Sequence, residues 1–383
     1  MFKDFFYAYR EYKNFKALNK QRLSIVVYSE SAGDLPHLEP VFKTLSQKYN
    51  QVIYYLTSDS TDRYLKTNDP NIKSFYIGSG TFRTLVFHDI NTKILIMTLP
   101  DLETYYLKRS VIPSHYIYVY HSINSTHMVY RKGAFDHYDT VFCVGPHHVK
   151  EIRETERVYG LPGKNLVEHG YGRLDSIIAE NKKRPLFVPS KGKSKKILLA
   201  PSWGKNSITN RCAEKVIKVL LDFGHQVTFR PHSMSVRLEN RLLKGITGKF
   251  KDNPLFKYET DLCSQDSLHL SDVMISDFSG AATEFAFGLE KPVISIDLPK
   301  KINNPEHGKI AFPTIENEIR DQIGSIVTVE ELQKLPAIAS SLCDGFDKSQ
   351  AKIISAREKW IFNIGSSGEK GAVAVMNILK KIQ

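Results

Sequence analysis

Three short segments concentrate side chains able to bind phosphate or move a proton. In VMISDFSGAATEFAFGLEKPVISID (273–297), an apolar run enters Ser276-Asp277-Phe278-Ser279-Gly280 and then a helical pattern. Such a strand–turn–helix unit offers unpaired backbone N–H groups and the positive end of a helix dipole to an anion. Small Ser279 and Gly280 let a phosphate approach, the hydroxyl adds a donor, and Glu284 can accept from ligand hydroxyls. Asp277 or Ser279 can equally serve as the helix cap. In VTFRPHSMS (227–235), Arg230 and His232 stand two apart at the end of an apolar run, so they point to one side. Arg230 can clamp phosphate oxygens through two N–H groups, and His232 can donate to a phosphate or accept a proton. The structural alternative is an arginine paired with a carboxylate and a histidine at the surface.

The third segment is YVYHSINSTHMVYRKGAFDHYDTVFCVGPHHVKEI (118–152), where His121 closes an apolar run and His127, Arg131 and Lys132 follow. A histidine at a strand's carboxyl end has the placement a general base needs. His137, His147 and His148 read as surface or supporting residues, and none of the histidines shows metal-ligand spacing. Three further turns are weaker signals. APSWGKNS (200–207) carries Ser202, Gly204 and Asn206; HGYGRLD (169–175) carries Gly170, Gly172 and Arg173; SESAGD (29–34) carries Ser31, Gly33 and Asp34. Each also fits an ordinary structural turn.

The elements that must position these residues are legible as short apolar runs. LSIVVYSES (23–31), QVIYYLT (51–57), SFYIG (74–78), KILIMTL (93–99), HYIYVYH (115–121) and TVFCVG (140–145) read as buried strands, with helical patterns between several of them. The pattern restarts with KILLAPSW (196–203), HQVTFRPH (225–232), LFKYET (255–260), DVMISD (272–277) and PVISID (292–297), and helices are expected near 211–223 and 235–245. Buried strands alternating with helices predict parallel, doubly wound sheets, so the fold class is α/β with two Rossmann-like domains. The intervening NKKRPLFVPSKGKSKK (181–196) reads as a basic linker. The expected division is a helix at 1–20, a first domain at 21–180, the linker, a second domain at 197–348, and C-terminal helices at 349–383 that cross back to the first domain.

With 383 residues, of which 42% are hydrophobic and 25% charged, the chain can form two full cores. Its 53 Lys+Arg against 41 Asp+Glu give a formal charge of +12, which favours anionic partners. No nucleic-acid-binding motif accompanies the charge, so a phosphorylated donor or an anionic membrane surface is expected and a nucleic acid is not. No apolar run approaches the ~20 residues of a membrane-spanning helix, and the N-terminus lacks a secretory apolar core. Cys143, Cys212, Cys263 and Cys343 are scattered without ligand spacing, which reads as a reduced protein with no structural zinc. Phe2, Phe5, Phe6, Tyr9, Tyr12, Phe15 and Leu18 form a helical stripe flanked by Lys3, Arg10, Lys13, Lys16 and Lys20. Two readings stay open: an interfacial helix on anionic lipid, or a helix packed on its own domain.

In order along the chain, the His121 segment, GYGRLD, APSW, RPH and above all SDFSGAATEFAFGLEKPVI resemble the CDP-glycerol glycerophosphotransferase family, which includes teichoic-acid primases and polymerases. The resemblance spans roughly residues 20–375, with its specific motifs mostly in the second half. It implies a GT-B fold, two Rossmann-like domains facing a central cleft. It also implies transfer of glycerol phosphate, or a similar alditol phosphate, from a CDP-activated donor to a hydroxyl of a glycan or lipid-linked acceptor. Arg230, His232, Ser279 and Glu284 become donor-site residues, joined by Ser202, Gly204, Asn206, Ser276, Asp277 and Gly280. His121 becomes the base, with His232 and Arg230 also assigned to catalysis. Ser31, Gly33, Asp34, His127 and Arg131 are expected on the acceptor side, and Gly170, Gly172 and Arg173 at the domain junction. The chain departs from the family where His121-Ser122-Ile123 replaces a His-Gly followed by Thr-Pro, where His232-Ser233 replaces His-Pro, and where Ser279-Gly280 replaces a Ser-Ser pair. No metal or cofactor is required by these residues, and Mg2+ held by phosphate oxygens is compatible with them. The expected location is the bacterial cytoplasm, peripheral on the inner face of the membrane. The rival readings are a nucleotide-sugar glycosyltransferase or 2-epimerase of the same fold, and a non-catalytic membrane-surface protein.

Overall fold

Continuous apolar runs without polar alternation need cover on both faces, and parallel strands flanked by helices provide it. The computed structural model describes residues 2–105, 107–259 and 265–382, with the side chains of Phe2 and Lys3 outside the description. Cys263 and Thr260, the end of the expected strand 255–260, also lie outside it. The chain forms two units: Met1–Ser176 with Asn303–Phe312 and Ile361–Gln383, and Ile177–Ile302 with Pro313–Trp360.

The first unit holds β1 (Leu23–Ser29), β2 (Ile53–Thr57), β3 (Ile72–Tyr76), β4 (Thr92–Met97), β5 (His115–Val119), β6 (Thr140–Cys143) and β7 (Asn165–Glu168), ordered β3-β2-β1-β4-β5-β6-β7. Every pairing is parallel. The strand order reverses between β1 and β4, which is where open α/β sheets place their ligand crevices. One core joins Ile25, Val27, Ile94 and Ile117 of the sheet to Val41 and Phe42 of helix Leu35–Gln47 and Val375 of helix Ser367–Ile382. Those two helices meet closely, since a Cβ on Gly368 would stand 2.6 Å from the Pro40 carbonyl oxygen.

The second unit holds β8 (Lys196–Leu199), β9 (Gln226–Phe229), β10 (Phe256–Tyr258), β11 (Val273–Ser276), β12 (Val293–Ile296) and β13 (Gly324–Val327), ordered β10-β9-β8-β11-β12-β13. These pairings are also parallel, and the reversal falls between β8 and β11. Its core packs Ile197, Leu199, Ile275 and Ile294 against Val216, Ile217 and Leu220 of helix Ala213–Phe223. The helix expected at 235–245 is two short ones, Ser233–Leu238 and Asn240–Gly248.

Several boundaries differ from the expected division. The basic segment 181–196 belongs to the second unit, where Phe187 packs on Phe346 and the Ser190 N–H donates to Asp272 at 2.9 Å. The return to the first unit begins at Ile361 rather than 349, because helix Phe346–Trp360 is tied to the second unit by Arg357, which donates to the Phe287 carbonyl and to Glu290. Residues 303–312 are an unforeseen loan to the first unit, where Asn304 Nδ2 donates to the His127 carbonyl at 2.9 Å. Strands β7 and β13 were not legible either. Each is a four-residue edge strand, and NLVE and GSIV carry only two apolar residues apiece.

The N-terminal helix Phe2–Leu18 packs part of its stripe on its own domain and leaves part of it exposed. Ala8 and Phe15 are buried, Tyr7 stacks on Tyr76 at 5.1 Å, and Phe15 meets Phe75 at 5.5 Å. Phe5, Phe6 and Tyr9 remain 55%, 65% and 44% exposed. Among the described residues, no helix is long and apolar enough to cross a membrane. Cys143, Cys212 and Cys343 are free and buried.

Candidate functional site

In the first unit, the crevice at the β1/β4 reversal is built by the turns that follow β1, β4 and β5. Asp34 folds the turn after β1, its Oδ2 accepting from the Glu30 and Ser31 N–H groups at 3.1 and 2.9 Å. Its Oδ1 accepts from the Thr98 hydroxyl at 2.9 Å, which locks the turn after β4 beside it. Thr98 then presents its carbonyl to Nδ1 of His121 at 3.1 Å. A carbonyl can only accept, so Nδ1 carries the hydrogen and Nε2 is the basic nitrogen. Burial pulls the His121 pKa below the ordinary histidine value, opposed by the Asp34 charge and the Thr98 hydrogen bond. The result is a neutral, oriented imidazole at a strand's carboxyl end. His37, 6.3 Å away ring to ring, is buried, and its pKa is pushed well below the ordinary histidine value first by burial, then by repulsion from His121 in its protonated form and from the Arg173 charge.

Ser31, Asp34 and His121 therefore come together, and Ser31 and Gly33 are exposed at the turn. Thr98 and His37 are members of this group that the sequence reading missed. Thr98 had a usable signal, a hydroxyl at the carboxyl end of an apolar run. His127 and Arg131 lie elsewhere. The His127 side chain is 3% exposed, with Nδ1 3.4 Å from Glu151 Oε2, and Arg131 pairs with Asp101 and lies over Tyr105. Both line a small pocket whose lysines are already paired, Lys132 with Glu306 and Lys164 with Glu156. His147 and His148 are buried rather than at the surface, each hydrogen-bonded to a backbone carbonyl, of Ile123 and Asn124 respectively. His137 is exposed.

The glycines of HGYGRLD serve packing. Gly170 has φ +99°, and a Cβ there would lie 2.4 Å from the Phe362 carbonyl oxygen, while one on Gly172 would meet Pro40 at 3.0 Å. The following Asp175 accepts from the Gly365 and Ser367 N–H groups and anchors the returning C-terminal segment. Arg173 lies close enough to His37 to lower its pKa.

In the second unit, the crevice at the β8/β11 reversal is organised by Asp277. Its side chain is buried, and its two oxygens accept from the Ser202 N–H at 2.7 Å and the Ile208 N–H at 2.8 Å. The aspartate thus draws the whole 202–208 turn onto the start of helix Gly280–Leu289. Burial raises its pKa and the donated N–H groups oppose that shift. Ser276 is likewise buried and bonds the Ala200 carbonyl, so both residues build the crevice rather than line it. Ser279 is the helix cap, its hydroxyl accepting from the Ala281 N–H at 3.3 Å, with Gly280 and Glu284 partly exposed beside it. Gly204 supplies a turn at φ +97°, and Asn206 accepts from Arg211.

Arg230 and His232 follow β9 as expected, but their polar groups have protein partners. Arg230 pairs with buried Glu259 at 3.2 Å and donates to Ser267 at 3.1 Å, which is the structural alternative for this residue. His232 caps helix Ser233–Leu238 by accepting the Met234 N–H on Nδ1, which leaves the hydrogen on Nε2 as a donor. Burial and then Lys301 lower its pKa. Lys301 and Trp203 were missed: the lysine amine sits 3.7 Å from the centre of the Trp203 ring, which lies 6.2 Å from the His232 ring. A lysine pair just past the carboxyl end of an apolar strand was the available signal. Among the described residues, no group of three or more His, Cys, Asp or Glu is placed to hold a metal ion.

Residues 116–299 match a family model described as CDP-Glycerol:Poly(glycerophosphate) glycerophosphotransferase. No curated protein matches the chain. Among solved structures, the wall teichoic acid polymerase TagF, as a histidine-to-asparagine variant with CDPG, is similar at 15% identity, TM-score 0.58, covering 100% of this chain and 98% of that one. The UDP-GlcNAc 2-epimerase of Methanocaldococcus jannaschii is similar at 14% identity and TM-score 0.54, covering 94% and 100%. The UDP-GlcNAc 2-epimerase of Neisseria meningitidis is similar at 13% identity and TM-score 0.57, also covering 94% and 100%. These likenesses show the fold, α/β with two parallel sheets of the GT-B kind.

Proposed function

We propose that this chain, which carries the CDP-glycerol glycerophosphotransferase family's region at residues 116–299, transfers glycerol phosphate from CDP-glycerol to a hydroxyl of a glycan or lipid-linked acceptor. The matched region runs from β5 through β12, so it includes His121, the 202–208 turn, Asp277 and Ser279. The observation that carries the reading is the state of His121: neutral, oriented through Nδ1 by the Thr98 carbonyl, with Nε2 left basic. That nitrogen takes the proton from the acceptor hydroxyl as its oxygen attacks the β-phosphorus of the donor, and CMP leaves with the bridging oxygen. The crevice of the second unit neutralises charge on the non-bridging oxygens through the Ser279 and Gly280 region and the Nε2–H of His232. Mg2+ carried in by the phosphates is compatible with this chemistry.

The proposal extends to an anionic membrane surface, and its support is helix Phe2–Leu18, whose exposed Phe5, Phe6 and Tyr9 stand with Arg10, Lys13 and Lys16 as in an interfacial helix. A lipid-linked or growing surface polymer is the acceptor such a position serves. The deciding assay follows CMP release from CDP-glycerol, with CDP-ribitol, UDP-sugars and CMP-sugars as alternative donors. CMP formed from CDP-glycerol and lost in His121→Ala supports the reading. Turnover of a UDP- or CMP-sugar alone overturns it in favour of a glycosyltransferase.

A further inference from the structure

A cation at the β8/β11 crevice remains unassigned after Arg230 has taken Glu259 as its counter-ion. Lys301 follows β12 and turns back over the 202–208 loop, where its half-buried amine rests on the Trp203 indole at 3.7 Å. An aromatic face holds an ammonium in place without neutralising it. No carboxylate of the described residues lies within ion-pair distance of this amine. Asp277, the acid whose charge reaches it, already accepts the Ser202 and Ile208 N–H groups. Burial consequently lowers the Lys301 pKa, Asp277 only partly offsetting it, and the lysine's charge in turn lowers that of His232. A positioned, partly desolvated ammonium beside a histidine N–H donor is completed by an anion with several oxygens.

We propose that Lys301, seated on Trp203, is the ammonium that holds the diphosphate of the donor in the second unit. The proposal rests on the glycerophosphotransferase reading for the identity of the anion, and on the Lys301–Trp203–His232 geometry for its place. Lysine rather than arginine suits the task, because a compact point charge can follow the phosphate oxygens as the bond to CMP lengthens.

Calorimetric titration of the full chain with CDP-glycerol, CDP and cytidine tests it, comparing wild type with Lys301→Ala, Lys301→Arg and Trp203→Leu. Lys301→Ala is expected to weaken CDP and CDP-glycerol by about tenfold to a hundredfold and to leave cytidine unchanged. Trp203→Leu is expected to weaken them less, and Lys301→Arg to keep most of the affinity. Burial lowers the Lys301 pKa and a bound anion opposes that, so proton uptake on binding, read from the dependence of the enthalpy on buffer ionisation, is expected to grow as the buffer is made more alkaline. Lys301→Arg abolishes that uptake, which a purely structural lysine would not produce. Unchanged CDP-glycerol affinity in Lys301→Ala, in protein with a wild-type melting temperature, overturns the proposal. A wild type that binds no cytidine nucleotide overturns the functional reading instead. Inorganic pyrophosphate then reads the seat directly: weakened binding in Lys301→Ala supports it, and unchanged or absent binding overturns it.

Discussion

His121 carries a pKa below the usual histidine value, so it stays unprotonated across the neutral range and gains a proton only as the pH falls through that lowered value. The acid limb of kcat/KM is therefore expected below about pH 6.5, the ordinary histidine midpoint. His121→Ala should lower kcat by roughly 100- to 10,000-fold, while calorimetry shows little change in CDP-glycerol affinity, since the donor crevice belongs to other elements. Arg230 behaves differently because its partner is enclosed. Its side chain is 13% exposed and that of Glu259 is 7% exposed, so Arg230→Ala leaves a buried carboxylate facing the exposed Lys257 amine at 4.0 Å in place of its enclosed partner. A loss of about 3–5 kcal/mol in denaturant unfolding is expected, with Glu259→Gln milder. Stability unaffected by Arg230→Ala, with activity lost, would return Arg230 to direct ligand contact.

At the scale of single elements, Lys291 links helix Gly280–Leu289 to β12 and is 1% exposed. Its amine donates to the Ser271 carbonyl at 2.9 Å and lies 3.6 Å from the centre of the Phe187 ring. Burial still pushes its pKa down to about 7. Between that value and the unfolded lysine value near 10.4, the unfolded chain binds more protons, so stability rises with pH in this window by up to about 1.4 kcal/mol per unit. Denaturant unfolding between pH 7 and 10 should show the rise, and Lys291→Met should flatten it. The cap of the same helix is weaker: Ser279→Ala removes one hydroxyl contact and should cost about 1 kcal/mol. These elements were largely legible from apolar runs, whereas β7 and β13 were not. An edge strand needs one neighbour and little burial, so its run can be too short and too polar to stand out.

For the molecule as a whole, the proposed docking on an anionic surface draws on a formal charge of +12 and on the exposed aromatic strip of helix Phe2–Leu18. Co-sedimentation with vesicles containing anionic lipid should weaken as salt is raised. The Phe5→Ser/Phe6→Ser double variant should bind about tenfold more weakly or worse, while keeping its melting temperature, because both rings are exposed. Removing residues 1–20 should abolish binding, and retention would assign the surface to another face.

Where chemistry can reside was legible along the chain. Period and composition place buried parallel strands, and the polar residues His121, Arg230, His232 and Ser279 fall at their carboxyl ends, where loops must open a crevice. What each polar group does depended on the partner that folding brought to it. Asp277 is held by the 202–208 turn, Arg230 by Glu259, His127 by Glu151, and Lys301 by an indole far away in the chain. Apolar burial depends on residue type and repeats locally, so a one-dimensional pattern records it. Hydrogen bonds and ion pairs depend on two distant groups meeting within about 3 Å, and no local pattern records that.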